Sequence, residues 1–201
     1  MRKAIKIVIT GNVGTGKSTL SKFLISEGYQ VFESDEEVRK VYSLSEVKKK
    51  ITLIFSKKVK ELTLCNGSIN SINLGKFVFE NTKELEILEN IIYPYLGDRK
   101  RKFIKKNIDS KIIFFDIPLL FEKKLHLDYD YIIYLRCNFN QVRKRVLQRE
   151  GMTEQKLKNI MSNQIKDISR FKKYISIALD TGESFAKTKS QIRNFINKIV
   201  V

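Results

Sequence analysis

Residues 4–10 form a largely apolar, β-branched run that stops at Gly11-Asn12-Val13-Gly14-Thr15-Gly16-Lys17-Ser18, after which Leu20, Phe23 and Leu24 recur at helical spacing. A glycine, four residues and then Gly-Lys-Ser, set between a strand and a helix, is the pattern of a phosphate-binding loop. The spacing has a mechanical reason. Glycines let the backbone wrap so that its N–H groups face phosphate oxygens, the lysine adds a point charge near the β- and γ-phosphates, and the serine hydroxyl can ligate Mg²⁺. The helix that begins near Lys17 adds the positive end of its dipole. A chance Gly-rich turn matches the bare pattern but lacks the flanking strand and helix that this chain supplies.

The remaining pattern repeats the strand-then-helix alternation. Gly28 closes the first helix, Gln30-Val31-Phe32 reads as a short strand, and a helical stretch over 36–42 follows. Residues 45–92 read as mostly helical, broken by the tight turn Cys65-Asn66-Gly67-Ser68, and Leu85, Leu88, Ile91 and Ile92 form a helix face that Pro94 is expected to end or bend. The basic run over 99–106 suits a solvated helix surface. Ile112-Ile113-Phe114-Phe115 and Tyr131-Ile132-Ile133-Tyr134-Leu135 are unbroken apolar runs of the kind that a parallel sheet covers on both faces. A helix over about 140–149, a charged helical stretch over 153–173, a last strand over 175–179 and a last helix over 184–199 complete the reading. Strands alternating with helices predict right-handed crossovers and a parallel sheet, so the fold class is α/β.

Composition narrows the setting more than the activity. The 201 residues carry 39 Lys or Arg against 22 Asp or Glu, a balance of +17, with 42% hydrophobic residues. That hydrophobic share is globular and excludes disorder as the main state. No apolar stretch approaches the roughly 20 residues of a membrane-spanning helix, so no membrane association is expected. Cys65, Cys137 and the lone His126 have no disulfide or metal spacing. With a basic but short apolar N-terminal run that leads into a turn, the chain is expected to be cytoplasmic. The positive charge would steer polyanions such as nucleic acid, anionic lipid or phosphorylated metabolites. The Lys, Ile and Asn richness fits A/T-biased coding equally well.

Three further positions carry candidate chemistry. Asp35 follows the second strand, and parallel strands bring its end and the phosphate loop to one sheet edge, where a carboxylate could take a hydroxyl proton during phosphoryl transfer. A plain N-cap of the following helix is the alternative. Asp116 ends the run over 112–115 and is either support for Mg²⁺ or a turn or capping residue. Arg145 and Arg149, four apart, would share one side of a helix. They suit either a lid that closes on phosphates or a solvated basic face.

Taken in order, these residues resemble the dephospho-CoA kinase family over nearly the whole chain. The resemblance runs from the loop over 10–19 through Asp35 and Arg39, Asn66-Gly67-Ser68-Ile69, Leu74 and Val78-Phe79. Its most specific piece is Asp116-Ile117-Pro118-Leu119-Leu120-Phe121-Glu122, followed by Gln141, Arg145, Arg149-Glu150-Gly151-Met152-Thr153, Gln164 and Arg170. It implies a P-loop NTPase-type parallel sheet flanked by helices, in a single domain over 1–201. Within that domain it implies a core of 1–44, 110–140 and 174–201, an acceptor-side helical region over about 45–105 and a lid over about 141–173.

The implied reaction moves the γ-phosphate of ATP, with Mg²⁺, to the ribose 3′-hydroxyl of dephospho-CoA. Asp35 is then the general base, with Lys17 and Arg145 as the other catalytic groups. Gly11, Asn12, Val13, Gly14, Thr15, Gly16, Lys17, Ser18, Thr19, Arg145 and Arg149 would hold ATP, and Asp35, Arg39, Tyr93, Pro118 and Leu119 the acceptor. Ser18 would ligate the metal, with Asp116 as a second candidate ligand. The implied partners are these two small molecules, with no specific nucleic acid, and the chain would be a monomer or weak homo-oligomer. The chain departs from the family pattern at Tyr93, where His is usual before Pro, at Glu33, at Asn12, at Tyr174-Ile175 and at Asp180. Another small nucleoside or nucleotide kinase shares the loop, the strand-end Asp and the arginines, but gives no reason for the segment over 116–122. A nucleotide-dependent nucleic-acid-binding protein would use the charge, but the chain has no recognisable nucleic-acid module. A degenerate kinase kept as a scaffold would explain the departures, but the intact Lys17, Ser18 and Asp35 argue against it.

Overall fold

Five strands, β1 (Ile5–Gly11), β2 (Gln30–Glu33), β3 (Ile112–Asp116), β4 (Tyr131–Arg136) and β5 (Ile177–Asp180), pair in parallel in the order β2-β3-β1-β4-β5. The structure is a computed structural model and describes residues 4–165 and 167–200. Met1, Arg2, Lys3, Lys166 and Val201, at the ends of the expected domain and inside the expected lid, lie outside the described residues. The described chain divides into two compact units. One holds the residues up to Glu33 and from Asn107 onward, and the other is Ser34–Lys106.

In the first unit the sheet forms as its apolar runs predict. All five residues of β3 are buried, which requires cover on both faces. On one face, Ile7, Ile9, Phe114, Ile133, Leu135 and Leu179 pack with helices α1 (Lys17–Ser26) and α8 (Phe185–Val200) through Leu20, Leu24, Ile192 and Ile196. The connection leaving α1 is set by Gly28 in the left-handed region, φ 88°. There the Gly28 N–H donates to Ile25 O at 3.0 Å and the Tyr29 N–H to Leu24 O at 3.0 Å. This closes the helix and turns the chain into β2. The strand order puts β1 between β3 and β4, where connections leave in opposite directions, so Gly11 emerges at the crevice that open parallel sheets offer to ligands.

The second unit is helical: α2 (Ser34–Ser43), α3 (Ser45–Phe55), α4 (Ser71–Phe79) and α5 (Thr82–Lys106) enclose Val41, Val47, Ile51, Phe55, Leu74, Val78, Leu88 and Ile92. Helix α2 groups with this unit rather than with the sheet. Asn66-Gly67 forms its expected turn, with Gly67 at φ 74°, but 56–70 is not helical. Instead the turn closes an antiparallel bridge between Thr63 and Ile69. Pro94 does not end its helix: α5 runs 25 residues through it. Proline removes an N–H that would have bonded residue 90, and Asn90 and Pro94 both lie on the exposed side of the helix.

The lid region also differs from expectation. Helix α6 (Phe139–Leu147) stops two residues short of Arg149, and α7 (Glu154–Ser162) ends well before a 3₁₀ turn at Ser169–Tyr174, so helix does not run throughout 153–173. Gly151, at φ 69°, supplies the left-handed turn between α6 and α7.

Helix α2 carries Asp35 and Arg39, and an ion pair adds to its apolar packing on α5. Glu37 accepts hydrogen bonds from Lys40 at 2.7 Å and from Arg99 of α5. Burial pushes the Glu37 carboxyl up, but the hydrogen bonds from Lys40 and Arg99 and their charges outweigh it, so its pKa falls below the ordinary 4.5. A depressed carboxylate contributes stability that is complete above the unfolded-state pKa and is lost as pH falls through the folded-state value. Unfolding midpoints of the native chain and Glu37→Gln should therefore differ above about pH 5 and converge on acidification. A gap that does not change with pH would remove this pairing as a tie between α2 and α5.

Candidate active site: a phosphate loop held by Arg145, Thr181 and Gln164

The loop between β1 and α1 is built by close approach. A Cβ on Gly11, φ 147°, would stand 2.3 Å from the Leu135 carbonyl oxygen of neighbouring β4. One on Gly14, φ 74°, would stand 2.8 Å from Val146 Cγ2 and 3.1 Å from Val142 Cγ1 of α6. Gly16 meets nothing nearer than 4.0 Å, so its φ of 90° alone requires glycine. Inside the loop, the Lys17 ammonium donates to Gly11 O at 2.6 Å and Asn12 O at 3.0 Å, and Thr15 donates to Asn12 O from its hydroxyl at 2.7 Å. Ser18 and Thr19, in the first turn of α1, are exposed.

Three outside side chains fix the loop. Arg145 of α6 is half-buried and donates to Gly14 O at 3.4 Å, to Thr181 O at 2.6 Å and to Thr181 Oγ1 at 3.3 Å, with Cys137 Sγ at 3.6 Å. Thr181 in turn donates from its hydroxyl to Thr15 O at 2.8 Å. Every one of these acceptors is neutral, and among the described residues no carboxylate pairs with Arg145. A guanidinium so placed keeps its charge available to an anion at the loop. Gln164, just after α7, accepts the Val13 N–H at 3.0 Å.

Asp116, 7% exposed at the end of β3, accepts the hydroxyl of buried Ser21 on α1 at 3.0 Å. It is paired in register with Ile9 and Glu33, so the C-terminal ends of β1, β2 and β3 share one edge. The Asp116–Ser21 bond links the end of β3 to α1. Pro118 and Leu119 follow at the same edge, half-buried, with the Thr10 hydroxyl donating to Pro118 O at 3.4 Å. Arg149 is exposed in the turn after α6, so it does not share a helix face with Arg145.

In the second unit, Asp35 is exposed inside the first turn of α2, which opens at Ser34, so it is not the N-cap of that helix. Arg39 is exposed and pairs with Glu36 at 3.3 Å, and Tyr93 is 45% exposed on α5.

Sequence reasoning missed Thr181, whose signal was its position in a turn directly after the last strand, at the edge where the other strand ends gather. Asp180 departs from the family pattern and has two contacts: it accepts the Gly182 N–H at 2.9 Å and pairs with Arg136 at 3.5 Å. Gln141 donates to Gly182 O at 2.9 Å, which ties the start of α6 to the same turn. Beside this turn a cavity of about 120 Å³ is lined by residues that include Asn12, Thr15, Tyr134, Cys137 and Met161.

Parallel sheet, glycine loop and basic clamp together define a nucleotide-binding α/β protein of the phosphate-loop class. The family model for dephospho-CoA kinase matches residues 5–183. A dephospho-CoA kinase of Bartonella quintana is 30% identical over 199 residues, covering 98% of this chain and 99% of that protein. Among solved structures, a dephospho-CoA kinase from Campylobacter jejuni superposes with a TM-score of 0.70 at 25% identity, over 97% of this chain and 96% of that one. A Thermus thermophilus protein shares the fold with a TM-score of 0.84 at 21% identity, over 98% of each chain. The chain belongs to the dephospho-CoA kinase family, and it is an ATP-dependent phosphotransferase.

The packing of α6 on the loop is open to direct test. Gly14→Ala should lower stability by about 1–3 kcal/mol, from strained φ and the clash with Val146, and should weaken ADP binding. Val146→Ala relieves the clash but leaves a gap in the core, so the double variant should lose less than the sum of the two single variants. Thermal unfolding and ADP titration of the native chain and the three variants check both statements.

Proposed function

We propose that this chain transfers the γ-phosphate of ATP to the ribose 3′-hydroxyl of dephospho-CoA, with its own residues in the following roles. The observation that carries the reading is Arg145, a guanidinium fixed beside the phosphate loop by neutral partners alone. The loop amides over 11–19 and Lys17 bind the ATP phosphates. Arg145 stabilises charge as it develops on the transferring group, and exposed Arg149 adds to the field there. Asp35, exposed in the first turn of α2, accepts the proton of the attacking hydroxyl. Arg39, Tyr93, Pro118 and Leu119 orient the acceptor. The second unit thus serves the acceptor, and α6 with α7 forms the lid.

The donor set fits Mg²⁺. Ser18 and Asp116 offer hard oxygen ligands, and no cluster of three His, Cys, Asp or Glu able to hold a metal occurs among the described residues. Such a site depends on substrate phosphates to complete it, as Mg²⁺ sites in kinases do. When bound, the ion neutralises charge on the phosphates. Among the described residues no helix is long and apolar enough to cross a membrane. We take the enzyme to work in the cytoplasm, as a monomer or weak homo-oligomer without a specific nucleic-acid partner.

ADP release with ATP, Mg²⁺ and dephospho-CoA, run beside AMP, dCMP, adenosine and pantetheine phosphate, should be confined to dephospho-CoA. Turnover of a nucleoside or nucleotide instead would favour a rival kinase. Asp35→Asn should retain ADP binding and lose kcat on the order of 10²- to 10⁴-fold, whereas Lys17→Ala should weaken both. An Asp35→Asn enzyme with native kcat would remove the base assignment. Chelating the metal with EDTA should stop turnover, and unchanged rates would exclude the metal role.

A further inference from the structure

The peptide plane between Asn12 and Val13 is bonded from both sides. Its carbonyl, Asn12 O, accepts the Lys17 ammonium at 3.0 Å, the Thr15 hydroxyl at 2.7 Å and the Thr15 N–H at 3.3 Å. Its N–H, that of Val13, donates to Gln164 Oε1 at 3.0 Å. The Val13 side chain packs with Val142, Val146 and Leu157 of α6 and α7. Gln164 is buried, 9% exposed, so its amide oxygen is not there to meet solvent. The next residue, Ile165, donates its N–H to Glu122 Oε1 at 2.8 Å. Glu122 ends the segment over 116–122 that follows β3.

We infer that Gln164, seated by Glu122, is a positioning residue that holds the Asn12–Val13 peptide in the orientation in which Asn12 O steadies Lys17. The inference rests on the phosphate-loop reading and adds to it the residues that set the loop from outside. The plane is flanked by Asn12 and Val13 rather than by glycines, so its orientation is set by these two residues together with the hydrogen bonds it makes on either side. Rotating the plane would break the Gln164 bond and carry Asn12 O away from Lys17 and Thr15 together. Without Gln164, the Val13 N–H also loses its partner against an apolar cluster, which disfavours the orientation further. Gln164 touches the outer side of the loop through one amide, so its effect is confined to how well the loop and Lys17 are arranged for phosphates. Because Gln164 stands at the end of α7, the same bond makes the order of the loop depend on where α7 sits. The carboxylate of Glu122 serves a backbone N–H, a role that a neutral acceptor of the same length can fill.

The test is equilibrium titration with ADP, together with KM values for ATP and dephospho-CoA. Gln164→Met, of similar length but without the acceptor, should raise the ADP dissociation constant and the ATP KM by about tenfold, the size of one lost hydrogen bond with its stranded donor. The dephospho-CoA KM should stay within twofold. Glu122→Ala should act in the same direction more weakly, and Glu122→Gln should restore native values. Glu122→Ala combined with Gln164→Met should be no worse than Gln164→Met alone, because both act through one contact. Unchanged ADP affinity in Gln164→Met would overturn the inference, as would a loss shared equally by ATP and dephospho-CoA. If Gln164→Met does not fold, Glu122→Ala measured against Glu122→Gln decides the same question, since equal ADP affinities would overturn it. Failure of the unaltered chain to bind ADP would sink the nucleotide reading and this inference together. Equal binding by the chain and its variants would sink this inference alone.

Discussion

The backbone at the end of β1 approaches its neighbours more closely than any side chain would permit, and the rest of the first unit follows from that approach. At Gly11 the obstacle is a carbonyl of β4, and at Gly14 it is two valines of α6. Neither can move far, because β4 is fixed in the sheet by pairing with β1 and β5, while Val142 and Val146 are buried. Wherever the loop passes, three supports converge on it: α6 below Gly14, the turn after β5 through Thr181, and the end of α7 through Gln164. A loop that must present backbone N–H groups to an anion needs its peptide planes fixed before the anion arrives, since rotation on binding would weaken it.

Charge is distributed in a way that serves this arrangement without being explained by it. The balance of +17 exceeds what two phosphorylated substrates require, and much of it lies on exposed surface. Lys189 sits over the rings of Phe23 and Phe185 at 4.9 Å, and Arg193 lies over Phe23 while paired with Glu27. Such contacts are weak individually. Arg145 differs from them in standing at the loop itself, hydrogen-bonded to Gly14 O and to Thr181. Position and pairing, not the number of basic residues, mark it out.

Most of the strands were legible because each is a run of apolar, β-branched residues next to a glycine or a charged turn, and the sheet came out with all five of them parallel. What was less legible lay where side chains from elsewhere take the backbone hydrogen bonds. The stretch over 153–173 has helical composition, yet it breaks after Ser162, where Gln164 turns to Val13 and Ile165 to Glu122. Partners 43 and 151 residues away in the chain cannot be read from a local pattern. Pro94 is a different case. The local rule allowed an end or a bend, and the helix does not end there but runs on, packed through Leu88 and Ile92 against its own unit, with the proline on the exposed side.

By itself the sequence determined the phosphate loop, the α/β alternation and the family, and it put forward Lys17, Ser18, Asp35, Asp116 and Arg145 as candidate groups. These are written in short segments whose meaning depends on neighbours a few residues away: glycines where φ is positive, a lysine one residue after them, an acid at a strand end. Only the tertiary structure decided that Arg145 is clamped on Thr181, that Asp116 bonds Ser21, that Arg149 falls outside α6 and that Gln164 secures the loop. Each of these is a hydrogen bond or a helix end fixed by groups far apart in the chain, and such pairings exist only once the sheet has brought the strand ends to a common edge.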